Sequence, residues 1–280
     1  MNFDQRWIQS EVGACLEKIR EERPIVHNIT NLVVMNLTAN ALLAIGASPI
    51  MAHAEEELEE MVGLSRALVL NPGTLDAGWV RCMKTALALA KAGKRPVVLD
   101  PVGSGASRFR TRTMLELLES GGISVLRGNA SEISSLRDPG ERQSGGVDSR
   151  DSVDSGIAAA EALARRYGCA VVISGEVDFV TDGRLAGEQR AVRIFNGDKG
   201  MPRVTGLGCA ATALIGAALC VAADPWVAAV AGMLFSGIAG ELAGGKSEGP
   251  GSLAVAYLDS LASLDRGRLD SQIRIEKAKR

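Results

Sequence analysis

Short apolar runs alternate along this chain with longer stretches in which apolar residues recur at helical spacing. The runs at 48–52, 67–71, 96–100, 124–127 and 170–174 are mostly apolar, as strands covered on both faces should be. Between them, 32–44, 76–92, 111–118, 131–136 and 155–167 read as helices. This alternation predicts successive β-α units built around a parallel sheet, an α/β fold. Segments 179–181 and 191–195 flank a turn at Asp182-Gly183 and predict an antiparallel edge hairpin. Helices near 209–223, 226–242 and 252–263 complete the pattern. The most apolar stretch, 209–242, is divided by Asp224-Pro225 into two pieces at or below the ~20-residue length of a membrane span. Two buried core helices are therefore expected there, and no membrane partner.

No Pro/Ser/Gly linker cuts the chain, so 1–280 is expected to form a single domain. The segment 1–23 is read as a peripheral helical segment and 265–280 as a peripheral charged tail, solvated or frayed. The polar stretch 139–155 reads as a surface loop. The N-terminus is amphipathic and lacks the apolar core of a signal peptide.

Composition sharpens this picture. A chain of 280 residues buries roughly three quarters of its unfolded surface. Apolar residues make up 46% and aromatics only 4%, so Ala, Gly, Leu and Val must do the packing. That favours closely approached helices and strands over an aromatic-rich β-sandwich. The 31 basic and 33 acidic residues nearly balance, which gives no electrostatic reason for nucleic acid or an anionic membrane as a partner. Five widely spaced cysteines without a CxxC pair argue against a disulfide framework or a zinc site and fit a reducing, cytoplasmic setting.

Candidate chemistry gathers where strands end. Thr205-Gly206-Leu207-Gly208-Cys209 leads directly into an Ala-rich helix. Glycines there let the backbone approach a ligand, and the helix offers unpaired N–H groups with the positive end of its dipole. Such a loop suits an anion, including a phosphoryl group in flight. It lacks the Lys-Ser/Thr of a Walker loop. An ordinary Gly-rich turn before a core helix is the competing reading. Cys209, in the first helical turn, is expected to have a thiol pKa below the free value of ~8.5, and to line the site or take a proton. A small buried apolar residue is its plainer reading.

Asp100 ends a strongly apolar strand, where α/β sheets bind ligands. Glu132 follows the next strand, with Arg127 just before. The two carboxylates can share a hydrated Mg²⁺, and Arg127 can neutralise phosphates. A pre-proline turn for Asp100 and a first-turn helix acid for Glu132 are the bland alternatives. Ser174 can bind a phosphate or simply cap a turn. Met51 can pack on an aromatic heterocycle or in the core. His27 and His53 lack metal-ligand spacing and read as polar site or surface residues.

Several segments together resemble the hydroxyethylthiazole kinase family. They are PIVHNITN (24–31), ASPIMAHA (47–54), DPVG (100–103), RGNASEI (127–133), SGEVDFVTDG (174–183), VTGLGC (204–209) and GPGS (249–252). They run in the family's order over nearly the whole chain. The resemblance implies a ribokinase-like fold: a central, mainly parallel sheet with helices on both faces. It implies transfer of the γ-phosphoryl of ATP, with Mg²⁺, to the alcohol of 4-methyl-5-(2-hydroxyethyl)thiazole. It also implies a homotrimer with sites at subunit boundaries. Position by position it makes Met51 and Gly206 thiazole-binding, Arg127 and Ser174 ATP-binding, and Asp100 and Glu132 the carboxylates near metal and phosphates. Cys209 matches the family's cysteine after the Gly-rich loop, with Gly208 and Asp100 beside it in the catalytic set.

Three departures stand out. Leu207 replaces a usual threonine, Asp198 a common histidine, and Pro72 a more usual isoleucine. Rival readings are an ATP-driven dehydratase of hydrated nicotinamide nucleotide, a non-catalytic binding module, and a kinase for hydroxymethylpyrimidine or a sugar. The first usually carries aspartate at the position of Cys209, and the second would be expected to lose Asp100, Glu132 or the loop glycines. The Met51 and N-terminal matches argue against the third.

Overall fold

A computed structural model describes residues 4–137, 153–183 and 190–278. The expected strands and helices form. The chain opens with α1 (Gln5–Glu22), β1 (Ile25–Ile29), α2 (Met35–Ile45), β2 (Ser48–Ile50), α3 (Leu58–Leu64), β3 (Ala67–Leu70) and α4 (Ala77–Ala92). There follow β4 (Val97–Leu99), α5 (Arg108–Glu119), β5 (Val125–Asn129), α6 (Ala130–Arg137), α7 (Val153–Tyr167) and β6 (Ala170–Ser174). The last part holds β7 (Asp178–Thr181), β8 (Ala191–Ile194), α8 (Leu207–Leu219), α9 (Pro225–Gly244), α10 (Pro250–Ala262), α11 (Arg266–Gln272) and β9 (Ile275–Lys277).

Among the described residues the strands make one sheet in the order β2-β1-β3-β4-β5-β6-β7-β8-β9. The pairs from β2 through β6 are parallel, and the last three pairings are antiparallel. Alternation along the strands splits the core in two. Val69, Val98, Val125 and Val172 face one apolar layer with α1, α2, α8, α9 and α10. Leu68, Leu70, Leu99, Leu126 and Ile173 face the other, with α3 to α7. Both faces of the sheet are thus covered, as a parallel sheet requires.

The two apolar pieces of 209–242 are α8 and α9, and both are buried in the core. Asp224 caps α9, accepting from Val227 N at 3.0 Å, and Pro225 occupies the first turn. A Cβ at Gly232 would lie 2.6 Å from the Ile215 backbone nitrogen, so the absent side chain lets these two helices touch.

Four expectations need correction. The strand β1 had no counterpart in the sequence reading, because IVHNI mixes polar with apolar residues. His27 and Asn28 are nevertheless fully buried there. His27 is therefore neither a surface nor an open-site residue: Nε2 lies 2.8 Å from the Ala52 carbonyl and ties β1 to the chain beyond β2. The end segments are not peripheral, as far as they are described. α1 buries Ile8, Val12, Cys15, Leu16 and Ile19, since its apolar stripe needs a partner. The charged tail forms α11, capped by Asp265, and then β9, whose main chain pairs with β8. The β7–β8 hairpin is consequently not the edge of the sheet. Most of the polar 139–155 stretch lies outside the described residues, although α7 already begins at Val153.

Candidate active site

The C-terminal ends of β3 to β6 and the start of α8 converge on Arg127. Its Nη2 donates to Ser174 Oγ at 2.7 Å, across the β5–β6 pair. Its Nη1 lies 3.8 Å from Asp100 Oδ2, a loose ion pair. Its Nε is buried without a partner. An ideal Cβ on Gly208 would stand 3.0 Å from Nη1, so α8 begins against the guanidinium. In the sequence both loop glycines read as letting the backbone approach a ligand. The left-handed backbone belongs to Gly206, at φ 92°, which caps α8. Gly208 is required for space, and Gly206 for conformation.

Asp100 is buried, and its Oδ2 accepts from Asn71 Nδ2 at 3.0 Å and Thr212 Oγ1 at 2.8 Å. Burial pushes its carboxyl above the usual range, against the pull of Arg127, Thr212 and Asn71. Glu132 is buried at the first turn of α6 and accepts the Gly103 and Asn129 amides at 2.8 and 2.9 Å. Burial, then the charge of Asp100, raises it to about 7. A buried carboxylate raised by the charge of a neighbouring one is a place where a cation would be stabilised.

The two acids are a short donor set, and no group of three or more potential metal ligands occurs among the described residues. A Mg²⁺ held largely by substrate phosphates and water needs one or two carboxylates, so the pair fits that ion and would not fit a closed protein cage.

Cys209 overturns one expectation. Its thiol is not lowered by the helix start but pushed up to about 12, first by burial and then by the Asp100 charge. Asn31 Nδ2 sits 3.7 Å from its Sγ. In low dielectric beside a carboxylate, a second negative charge is disfavoured more than the helix dipole favours it.

Leu207, which departs from the family pattern, is the first residue of α8, and its side chain is buried in the core. Asp198 accepts the Gly200 amide at 2.7 Å and serves a local turn. The Pro72 carbonyl accepts from Arg110 at 2.9 Å, a bond that needs no particular side chain.

The sequence reading did not name Asn71, Thr212, Asn31 or Arg110 as individual site residues. Asn31 and Asn71 belong to segments it had noticed, and Asn31 Nδ2 donates to Asn71 Oδ1 at 2.9 Å. Thr212, inside an Ala-rich helix, carried no signal beyond its one-turn spacing from Gly208. Met51 is placed apart. It follows β2 at the sheet edge, with β1 and β3 between it and the Asp100 strand. At ~4.8 Å per strand that is about 14 Å.

Comparison with known proteins points to one family. A hydroxyethylthiazole kinase from Nitratidesulfovibrio vulgaris is 51% identical over 261 residues, 93% of this chain and 95% of its own. One from Desulfotalea psychrophila is 47% identical, covering 94% of both chains. The solved hydroxyethylthiazole kinase of Pyrococcus horikoshii superposes with a TM-score of 0.86 at 42% identity, over 96% of this chain and 99% of that one. A ribokinase-like superfamily protein from Enterococcus faecalis shares the fold alone, with TM-score 0.60 at 13% identity over 95% and 92%. Residues 16–267 match the hydroxyethylthiazole kinase family as a whole, and the chain belongs to that family.

Proposed function

We propose that this protein transfers the γ-phosphoryl group of ATP to the primary alcohol of 4-methyl-5-(2-hydroxyethyl)thiazole. The observation that carries this reading is Arg127, whose side chain is only 12% exposed, which pairs loosely with Asp100, keeps an unpartnered Nε and sets its Nη atoms against the N-terminus of α8. A buried guanidinium with unspent donors beside a helix start suits a phosphate. The names of the relatives supply the acceptor alcohol.

Phosphoryl transfer asks mainly for alignment and charge stabilisation. Arg127 and Ser174 would bind ATP oxygens. The first-turn amides of α8, which have no intrahelical acceptor, would stabilise the moving group. Asp100 and Glu132 would hold Mg²⁺, which supplies further neutralisation of the phosphates when bound. A Cys209 thiol that stays protonated near neutral pH lines the acceptor side and is no thiolate base.

Gly206 and Met51 would contact the thiazole. Met51 lies too far along the sheet to join Arg127 within one chain, which supports a homotrimer whose sites combine two copies. Leu32 and Val33, 63% and 66% exposed beside Asn31, give such a contact an apolar surface. All five cysteines are free, in keeping with a cytoplasmic location.

The test is ADP formation with Mg²⁺ and each of three alcohols: the thiazole, hydroxymethylpyrimidine and ribose. Turnover of the thiazole well above the others is expected. A preference for ribose or the pyrimidine would overturn the assignment. Sedimentation at assay concentration checks the trimer, and a fully active monomer would refute it.

A further inference from the structure

We propose that Arg110 is a positioning residue of this site, stapling the loop after β3 to the loop after β4 so that Asp100 and Glu132 keep their places. The inference rests on the proposed phosphotransferase reading for its catalytic consequence, though not for its geometry.

Arg110 lies in the first turn of α5 and is half-buried. Its guanidinium is turned onto three main-chain carbonyls. Nη1 donates to Pro72 O at 2.9 Å and Val102 O at 3.1 Å, and Nη2 donates to Gly73 O at 2.7 Å. Two of these acceptors belong to the loop after β3 and one to the loop after β4. The planar fork can hold both loops at once, which a lysine could not do with the same geometry.

Each stapled loop delivers a bond to one carboxylate. In the first, Asn71 Oδ1 accepts the Gly73 amide at 3.1 Å, which orients the side chain whose Nδ2 donates to Asp100. In the second, the Gly103 amide donates to Glu132 Oε1. Gly103 has φ 72°, and a Cβ there would come 3.1 Å from Arg110 Cδ, so the backbone wraps the arginine closely. The same helical turn adds a further tie, since Thr111 Oγ1 accepts the Gly105 amide at 2.8 Å. Arg110 therefore reaches the acids only through other groups, and its loss should spoil alignment without removing a substrate contact.

The experiment compares wild type, Arg110→Ala and Arg110→Lys by steady-state kinetics and by amide hydrogen exchange of the ligand-free protein. Misplacement of a reacting constellation by about 1 Å can cost on the order of 10²-fold, so kcat of the alanine variant should fall about 10- to 10²-fold with KM for the alcohol nearly unchanged. Exchange should accelerate in the segments 71–75 and 100–106 and stay as in wild type in α8 and α9. Arg110→Lys should retain part of the loss, and added guanidinium should restore part of the alanine variant's rate.

Wild-type kcat with wild-type exchange in both loops would overturn the proposal. So would a uniform rise in exchange across the whole chain with no selective change at the loops, the mark of a purely structural residue. If the alanine variant does not fold, the lysine variant is read by the same criteria. If wild type does not phosphorylate the alcohol, the proposed activity fails, and the loop exchange still decides the staple.

Discussion

Two arginines largely withdrawn from water, one on the central strand β5 and one beside β8, make an instructive contrast. Arg190 precedes β8 and is fully engaged. Its Nε donates to Asp182 at 2.8 Å, its Nη1 to Asp224 at 2.8 Å, and its guanidinium lies 4.6 Å over the Trp226 ring. Arg127 has one good bond to Ser174, a 3.8 Å approach to Asp100 and an unpartnered Nε. Both are largely withdrawn from water. The first uses its hydrogen-bonding capacity to lock the hairpin to the cap of α9. The second keeps part of that capacity unspent, a cost in stability to the free protein that the proposed phosphate would offset. An incompletely satisfied charge withdrawn from water thus singles out a candidate site better than burial or charge does alone.

Substitution can break this contrast. Gly208→Val should have the largest effect on activity, because the new side chain would enter the space of the Arg127 guanidinium. Arg127→Ala should act similarly by removing it. A charge-stabilising arginine or an oxyanion-type donor is worth about 10²–10⁵-fold, so a loss on the order of 10³-fold is expected in both, with circular dichroism unchanged. A Gly208→Val enzyme retaining most of the wild-type rate would sink the account of the α8 start as an anion cradle.

Arg190→Ala should do the opposite. It strands two acids, and breaking a buried pair this way costs about 3–5 kcal/mol. Chemical denaturation should show that loss, while kcat of the folded fraction stays near wild type. A catalytic defect without destabilisation would erase the distinction between the two arginines.

Cys209→Ser should be milder. A thiol that remains protonated at neutral pH supplies little general-base power, so activity should fall by no more than about 10²-fold, the lower end of acid-base contributions. A dead serine variant beside an active Gly208→Val would return the chemistry to the thiol.

The smallest effect concerns pH. Glu132 titrates near 7 in the folded protein and near 4.5 when unfolded, so folding favours its protonated form. The resulting stability is fully present below the unfolded value and lost as pH rises through 7, amounting to at most about 3 kcal/mol. The metal-free, nucleotide-free protein should therefore melt at lower temperature at pH 8 than at pH 5.5. Glu132→Gln should flatten that slope only in part, because Asp178, raised to about 7 by burial, has the same sign. An unchanged slope in Glu132→Gln would show that its carboxyl is not the buried acid described.

Legibility in the sequence was uneven, for local reasons. Strands such as Val97–Leu99 and helices such as Ala77–Ala92, which begins after the capping Asp76, declare themselves through uniform apolarity, periodicity and caps. Asp100, Glu132 and Ser174 stood out because each lies at or just beyond the end of a parallel strand, and Arg127 because it is a charge within the apolar β5. β1 was not, since its polar His27 and Asn28 are buried only through contacts made elsewhere in the fold, such as His27 Nε2 with the Ala52 carbonyl. β9 was hidden for a related reason. A charged edge strand shows no apolar run, and its pairing to β8 is a main-chain event.

What the sequence determined by itself was therefore the alternation of strand and helix, the covered sheet, and the residues at strand ends where ligands gather. Those follow from periodicity and local backbone chemistry, which involve neighbours a few positions apart. Only the tertiary structure decided that Arg127 keeps an unspent donor while Arg190 does not, and that Cys209 is raised and not lowered. It alone placed Thr212 and Asn71 on Asp100, residues 112 and 29 positions away in the chain. Desolvation, charge proximity and donor satisfaction depend on what lies across space, and no local pattern in the chain encodes them.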